Sequence, residues 1–124
     1  MGRRNIIKSY KMLDAVSIGS SQTSDSTNVE SMDVASVDVV WSAGSTPVGV
    51  ITFEATNSDD NTINAGNASW VELSFGAAIN ISGASGSHHV VFDVLPFRAL
   101  RVKYTRSSGS ATLDCVIHAE TRGA

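Results

Sequence analysis

The chain is predicted to be all-β, a single antiparallel β-sandwich of jelly-roll type with about eight strands and an extended N-terminal arm. Three observations predict this. Apolar residues recur at every second position in run after run, which is how half-buried antiparallel strands read. Clusters of Gly, Ser, Asn and Pro separate the runs at short intervals, as sandwich and jelly-roll turns require. Almost nothing in the chain reads as helix, and no repeat period is present. At 124 residues and 42% hydrophobic composition there is enough chain for one domain with one core. The expected division is a basic arm over residues 1–11 and a sandwich over residues 12–124.

The arm contains Arg3, Arg4, Lys8 and Lys11 with Ile6, Ile7 and Tyr10, and no acidic residue. A frayed terminus is the plain explanation of such a segment. The functional reading is a segment that orders against a neighbour, with its apolar residues in a groove and its basic residues on an acidic rim. Eleven extended residues reach roughly 35–40 Å. Ordering them costs about 1–2 kcal/mol per residue in backbone entropy. Burying Ile6, Ile7 and Tyr10 returns roughly 1.5–3 kcal/mol each. These terms do not balance, so such an arm also needs backbone pairing, for example addition to an exposed sheet edge.

Residues 12–18 and 27–32 are plausible strands separated by a polar loop at 19–26. Residues 34–41 alternate with Val37, Val39 and Trp41 on one face. A turn at 42–47, with Gly44 and Pro47, leads to residues 48–56, where Ile51, Phe53 and Ala55 point inward. Asn57, Asp59, Asp60 and Asn61 form a cluster of residues that bond their own backbone. Residues 70–75 place Val71, Leu73 and Phe75 together, which leaves Trp70 in phase with Glu72. A loop at 82–87 precedes a run in which Val90, Phe92 and Val94 share a side, and Pro96 ends it. Leu100, Val102 and Tyr104 alternate with Arg101 and Lys103. After the polar segment 107–110, Leu113, Cys115 and Ile117 alternate again. The last two runs read as a hairpin, 100–105 against 112–118.

Charge is strongly segregated along the chain. Residues 12–97 hold ten acidic residues and no Lys or Arg, and basic residues flank that stretch on both sides. The net charge of −3 does not suit a nucleic-acid binder. Segregated charge suggests complementary surfaces, which set register in an assembly. The outward Arg101 and Lys103 are either ordinary solvated charges that guard a sheet edge or a basic stripe receiving an acidic neighbouring subunit. Trp70 is read as a subunit contact, with a sugar-binding platform as its rival. The candidate interface is therefore Arg3, Arg4, Ile6, Ile7, Lys8, Tyr10, Lys11, Trp70, Arg101 and Lys103.

Catalytic signals are weak. His88 and His89 are adjacent, so in a strand they face opposite ways and do not share a metal. The Asn/Asp cluster offers oxygen ligands but lacks the EF-hand spacing and its closing glutamate. Glu54 and Glu72 are a possible cross-strand pair, which alone says little about hydrolysis. Neither a nucleophile elbow, a P-loop nor a dinucleotide fingerprint occurs. No cofactor or metal is expected. The single Cys115 permits no intrachain disulfide and reads as a small buried hydrophobe. No apolar run approaches the roughly 20 residues of a membrane span, and no secretion signal is evident, so cytosolic synthesis is expected.

From Gly49 to Thr121 the chain resembles small structural proteins of tailed bacteriophages. The resemblance is carried by the strand at 49–58 with Phe53, Glu54 and Asn57, the Trp70-Val71 pair, the run Phe97-Arg98-Ala-Leu-Arg101-Val-Lys103-Tyr104-Thr105, the Ser-Gly turn at 107–110 and a closing strand through His118. It implies a β-sandwich virion component: a head decoration (cement) protein, a tail or neck component, or a fibre domain. Cys115 is not part of the family pattern, and the basic arm is independent of it. The partners implied are copies of the chain itself, as a homo-oligomer such as a trimer, and a major capsid or other virion protein. Neither nucleic acid nor membrane is among them.

Overall fold

The computed structural model describes residues 7–30, 32–73, 79–92, 95 and 97–121. Arg3, Arg4 and Ile6 lie outside the described residues, as do the side chains of Ile7, Lys8 and Tyr10. The elements are β1 (Ile7–Ser17), β2 (Gln22–Thr23), β3 (Thr27–Asn28), β4 (Val34–Thr56), α1 (Asp60–Asn64), β5 (Val71–Glu72), β6 (Ile79–Ile81), β7 (Gly86–Phe92) and β8 (Ala99–Glu120).

The architecture is an antiparallel β-sandwich organised by two long strands. β4 and β8 pair along nearly their whole lengths, from Val34↔Glu120 to Thr56↔Ala99. Register shifts between Ser42 and Gly49, opposite Arg106–Thr112, bend this ribbon in the middle. The first half of β4 and the second half of β8 are flanked by β7 and β1, giving the order β1–β8–β4–β7. The other halves are flanked by β5 and β6 on one side and by β2 and β3 on the other. Each long strand thus serves both layers, and the arrangement is that of a jelly roll. Packing confirms that the layers face one another. Phe53 from one layer meets Phe92 from the other edge-on, with ring centroids 5.3 Å apart.

The alternation seen in sequence is the alternation of burial. Val37, Val39, Trp41, Ile51, Phe53, Leu100, Val102, Tyr104, Leu113, Cys115 and Ile117 all fall in one buried cluster. Two glycines make room for its aromatic members. A Cβ on Gly86 would sit 2.3 Å from the Trp41 ring, and one on Gly49 would sit 2.2 Å from the Tyr104 hydroxyl.

The structure corrects several local expectations. The runs 100–105 and 112–118 are not a hairpin. They are successive parts of β8, and both pair with β4. The segment 107–110 is a bend carrying Gly109 at φ 72, opposite the matching bend at 42–48. A hairpin turn and a bulged bend need the same residues, so turn chemistry did not separate them. The first strand starts at Ile7, so residues 7–11 of the arm segment pair with Val116–Glu120 in the main sheet. β2 lies inside the expected polar loop at 19–26, and β3 is shorter than the expected 27–32 strand. Val71, expected inside with Leu73, is 66% exposed, while Leu73 packs against the core.

Candidate assembly surfaces

Of the singled-out residues, Trp70 and Arg101 come together. Register places Glu54 beside both Arg101 and Glu72 on the outward face of the second layer. Arg101 Nε donates to Glu54 Oε1 at 2.8 Å, and the guanidinium lies 4.2 Å from the centre of the Trp70 ring. The two charged side chains are only 26% and 13% exposed. Arg101 is thus held within its own chain by a carboxylate and an aromatic face. Lys103, two residues on and exposed, has no ion-pair partner among the described residues.

Among the described residues, the charge segregation of the sequence is not a segregation in space. Antiparallel pairing lays the basic segment of β8 against acidic β4, which joins Arg101 to Glu54. Arg98 Nη1 reaches Glu30 Oε2 at 3.2 Å. Lys11, on β1, lies 3.1 Å from Asp14 and 4.0 Å from Asp114. A hydrogen bond to Asp14, with the charges of Asp14 and Asp114, raises the Lys11 ammonium above its ordinary pKa. The described part of the surface therefore interleaves opposite charges, and for Arg101 and Glu54 the sheet register does the mixing.

The outward face of the first layer is a second surface. Its rows run Ser9–His118–Ser36–Val91 and Lys11–Val116–Asp38–His89. Ser9 Oγ and His118 Nδ1 are 2.7 Å apart, and His89 Nδ1 contacts Asp38 Oδ1. Val40 and Val91 are exposed on this face at 43% and 57%.

Among the described residues, the singled-out side chains do not come together as a reactive centre. His88 pairs with Val39 in the register, away from the outward row that holds His89. Among the described residues no three His, Cys, Asp or Glu side chains gather as metal ligands. The Asn/Asp cluster caps α1 instead. Asp59 Oδ1 accepts from the Thr62 N–H at 2.8 Å, and the bonds to Thr62 hold its carboxyl below the usual range. Burial, with the Asp114 charge beside it, pushes the Cys115 thiol up to about 12, so it is neither a nucleophile nor a thiolate ligand near neutral pH. Open hollows of about 380 Å³ lie beside Glu30, Leu95 and Arg98 and beside Asp38 and His89.

No protein family's sequence profile matches the chain, and no curated protein does. Solved structures share its fold. A chain of the infectious bursal disease virus Gx strain structure aligns with TM-score 0.61 at 11% identity, covering 99% of this chain and 33% of that one. A chain of the infectious bursal disease virus T13 viral particle aligns with TM-score 0.59 at 12% identity, covering 98% and 32%. The SPBc2 prophage-derived protein YomS aligns with TM-score 0.56 at 16% identity, covering 94% and 96%. This chain spans about a third of the length of the two virus chains it resembles. At these identities the likeness is one of fold.

Proposed function

We propose that this chain is a non-enzymatic structural component of a virus particle, and specifically a head decoration (cement) protein. In this reading it binds the assembled shell, associates with copies of itself and stiffens subunit junctions, with the basic segment 1–11 contributing to attachment. The observation that carries the reading is the jelly roll itself. Nearly the whole chain aligns both with a segment of a viral-particle chain and with a complete prophage-derived chain. The site chemistry supports it: among the described residues, polar and charged side chains engage one another along the outward faces of the sheet, and no three His, Cys, Asp or Glu gather as metal ligands. The sugar-binding alternative is disfavoured because the Arg101 guanidinium stacks on the Trp70 ring.

The test uses purified chain and shells that lack it, assembled from the genome that encodes it. The chain is expected to co-sediment with the shells saturably and to raise their disruption temperature. Failure to bind shells while binding isolated tails or fibres moves the role to those parts. Failure to bind any particle component, with saccharide-dependent quenching that disappears in Trp70→Ala, overturns the virion reading.

A further inference from the structure

We propose that residues 1–6 fold back in cis, with Arg3 and Arg4 seated in the hollow beside Glu30, as a latch that holds the attachment segment on its own domain. The inference rests on the role proposed above for what the segment does, and on the geometry of the hollow for where it is held.

The hollow lies at the end of the sandwich where β1 begins. Ile7 pairs with Glu120, Glu120 pairs with Val34, and the Asp33 N–H donates to the Glu120 carbonyl at 3.0 Å. Glu30 lies three residues before Asp33. Adjacent strands are about 4.8 Å apart, and three residues span roughly 10 Å at full extension. Ile7 and Glu30 are therefore within roughly 20 Å of one another. Arg4 and Arg3 come three and four residues before Ile7. Their backbone reach from it is roughly 10–14 Å, and the long Arg and Glu side chains close the remainder.

The walls of the hollow are fixed, and its charge favours a cation. It is lined by Glu30, Asn57, Leu95, Phe97 and Arg98. The Arg98 N–H donates to the Thr56 carbonyl at 3.1 Å and to Asn57 Oδ1 at 3.2 Å, and the Arg98 carbonyl accepts from the Val29 N–H at 2.8 Å. The Arg98 guanidinium serves two carboxylates. It meets Glu30 Oε2 at 3.2 Å, and its charge adds to the Thr62 bonds that hold Asp59 ionised. Asp60 follows in the first turn of α1. The Glu30 side chain is 55% exposed, and a carboxylate has room for about four donors, so Arg98 does not saturate it. A second guanidinium fits such an acceptor through its paired N–H groups. Leu95 and Phe97 offer an apolar wall to its stem. The segment before Ile7 is the complement, with two adjacent arginines and no acid. Tethering favours the contact in cis, because it raises the effective concentration to about the millimolar range.

The experiment is trypsin cleavage of the folded full chain after Arg3 and Arg4, timed by mass spectrometry at low salt. Wild-type cleavage is expected to be slow, at a rate that does not depend on chain concentration. Glu30→Lys, checked for unchanged circular dichroism, should speed it at least tenfold. Asp14→Lys makes the same change of charge at an exposed site seven residues along β1 from Ile7, and should leave the rate unchanged. A second measurement leaves the hollow intact. In a chain carrying Arg3→Lys and Arg4→Lys, a zero-length carbodiimide should join residue 3 or 4 to Glu30 or Asp59 within the monomer. Equal cleavage rates in wild type and Glu30→Lys, or no such join, overturn the latch and leave a frayed terminus. Protection that rises with chain concentration, or joins found only between molecules, overturns the cis contact in favour of a neighbouring copy. A latched chain that binds no shell supports the latch and counts against the virion reading alone.

Discussion

Replacing Gly109 with alanine tests the central architectural feature, the bend at which β4 and β8 pass together from one layer to the other. Gly109 has φ 72, and a Cβ there would lie 2.1 Å from the Thr46 carbonyl oxygen and 2.7 Å from the Pro47 Cα. Gly66, after α1, has nearly the same backbone at φ 77, but a Cβ there meets nothing within 4 Å. Both substitutions incur the left-handed strain of about 1–2 kcal/mol. Only Gly109→Ala must also displace backbone, an overpacking cost of about 1–3 kcal/mol. The expected losses are about 1 kcal/mol for Gly66→Ala and about 3 kcal/mol or more for Gly109→Ala. Unfolding entropy of about 2.1 cal/mol/K per residue gives about 0.26 kcal/mol per degree for this chain. Melting temperatures should therefore fall by about 4 °C and by about 12 °C, as read by calorimetry with urea titration as a check. Were residues 107–110 the tip of an isolated hairpin, the two glycines would be equivalent. Equal losses would refute the paired bend.

Tyr104 is fully buried, and its hydroxyl has no hydrogen-bond partner among the described residues, so Tyr104→Phe should stabilise the fold by about 1 kcal/mol, or about 4 °C; a lower melting temperature would show that the hydroxyl is satisfied. Arg101→Ala should cost about 1 kcal/mol and change Trp70 fluorescence, because it removes the stacked cation and strands Glu54; an unchanged spectrum would place Arg101 away from the indole. Cys115 is raised from its ordinary 9.0 to about 12 in the fold, so the unfolded chain loses its thiol proton first as pH rises. Stability should then fall between about pH 9 and 12 by up to about 1.4 kcal/mol per pH unit. Subtracting the profile of Cys115→Ala should isolate this slope, and native chain at pH 8 should resist alkylation until denatured.

Much of the fold was legible because burial follows alternation. The inward sets Val37/Val39/Trp41, Ile51/Phe53 and Leu100/Val102/Tyr104 were readable by parity alone. Strand partnership was not. The runs before and after 107–110 are out of phase, Tyr104 inward on one side and Ala111 inward on the other, and both a hairpin and a bulged bend produce that change. The available clue was pairwise: polar breaks at 42–47 and 107–110 each divide two runs of similar length, as two strands bent at the same place would require. Strands β2, β3 and β5 are too short to carry a period. At the candidate surface, the alternation placed Arg101 and Lys103 outward, and the possible cross-strand pair of Glu54 and Glu72 is present in the sheet register. It did not reveal that Glu54 and Trp70 already engage Arg101, because that depends on which strands are neighbours.

Charge teaches the same lesson. Ten acids in an uninterrupted cation-free stretch suggested two opposed surfaces, yet antiparallel neighbours bring Glu54 to Arg101 and Glu30 to Arg98. Among the described residues, Lys103 is the exposed cation left without an ion-pair partner.

The most direct test of the virion role is the protein composition of density-purified particles produced from the genome that encodes this chain, measured by quantitative mass spectrometry before and after stripping of loosely bound protein. The account predicts the chain in a fixed ratio to the major shell protein, retained through purification and accessible to surface labelling. Particles that are complete and infectious without the chain, with all of it recovered free in the lysate, would contradict it.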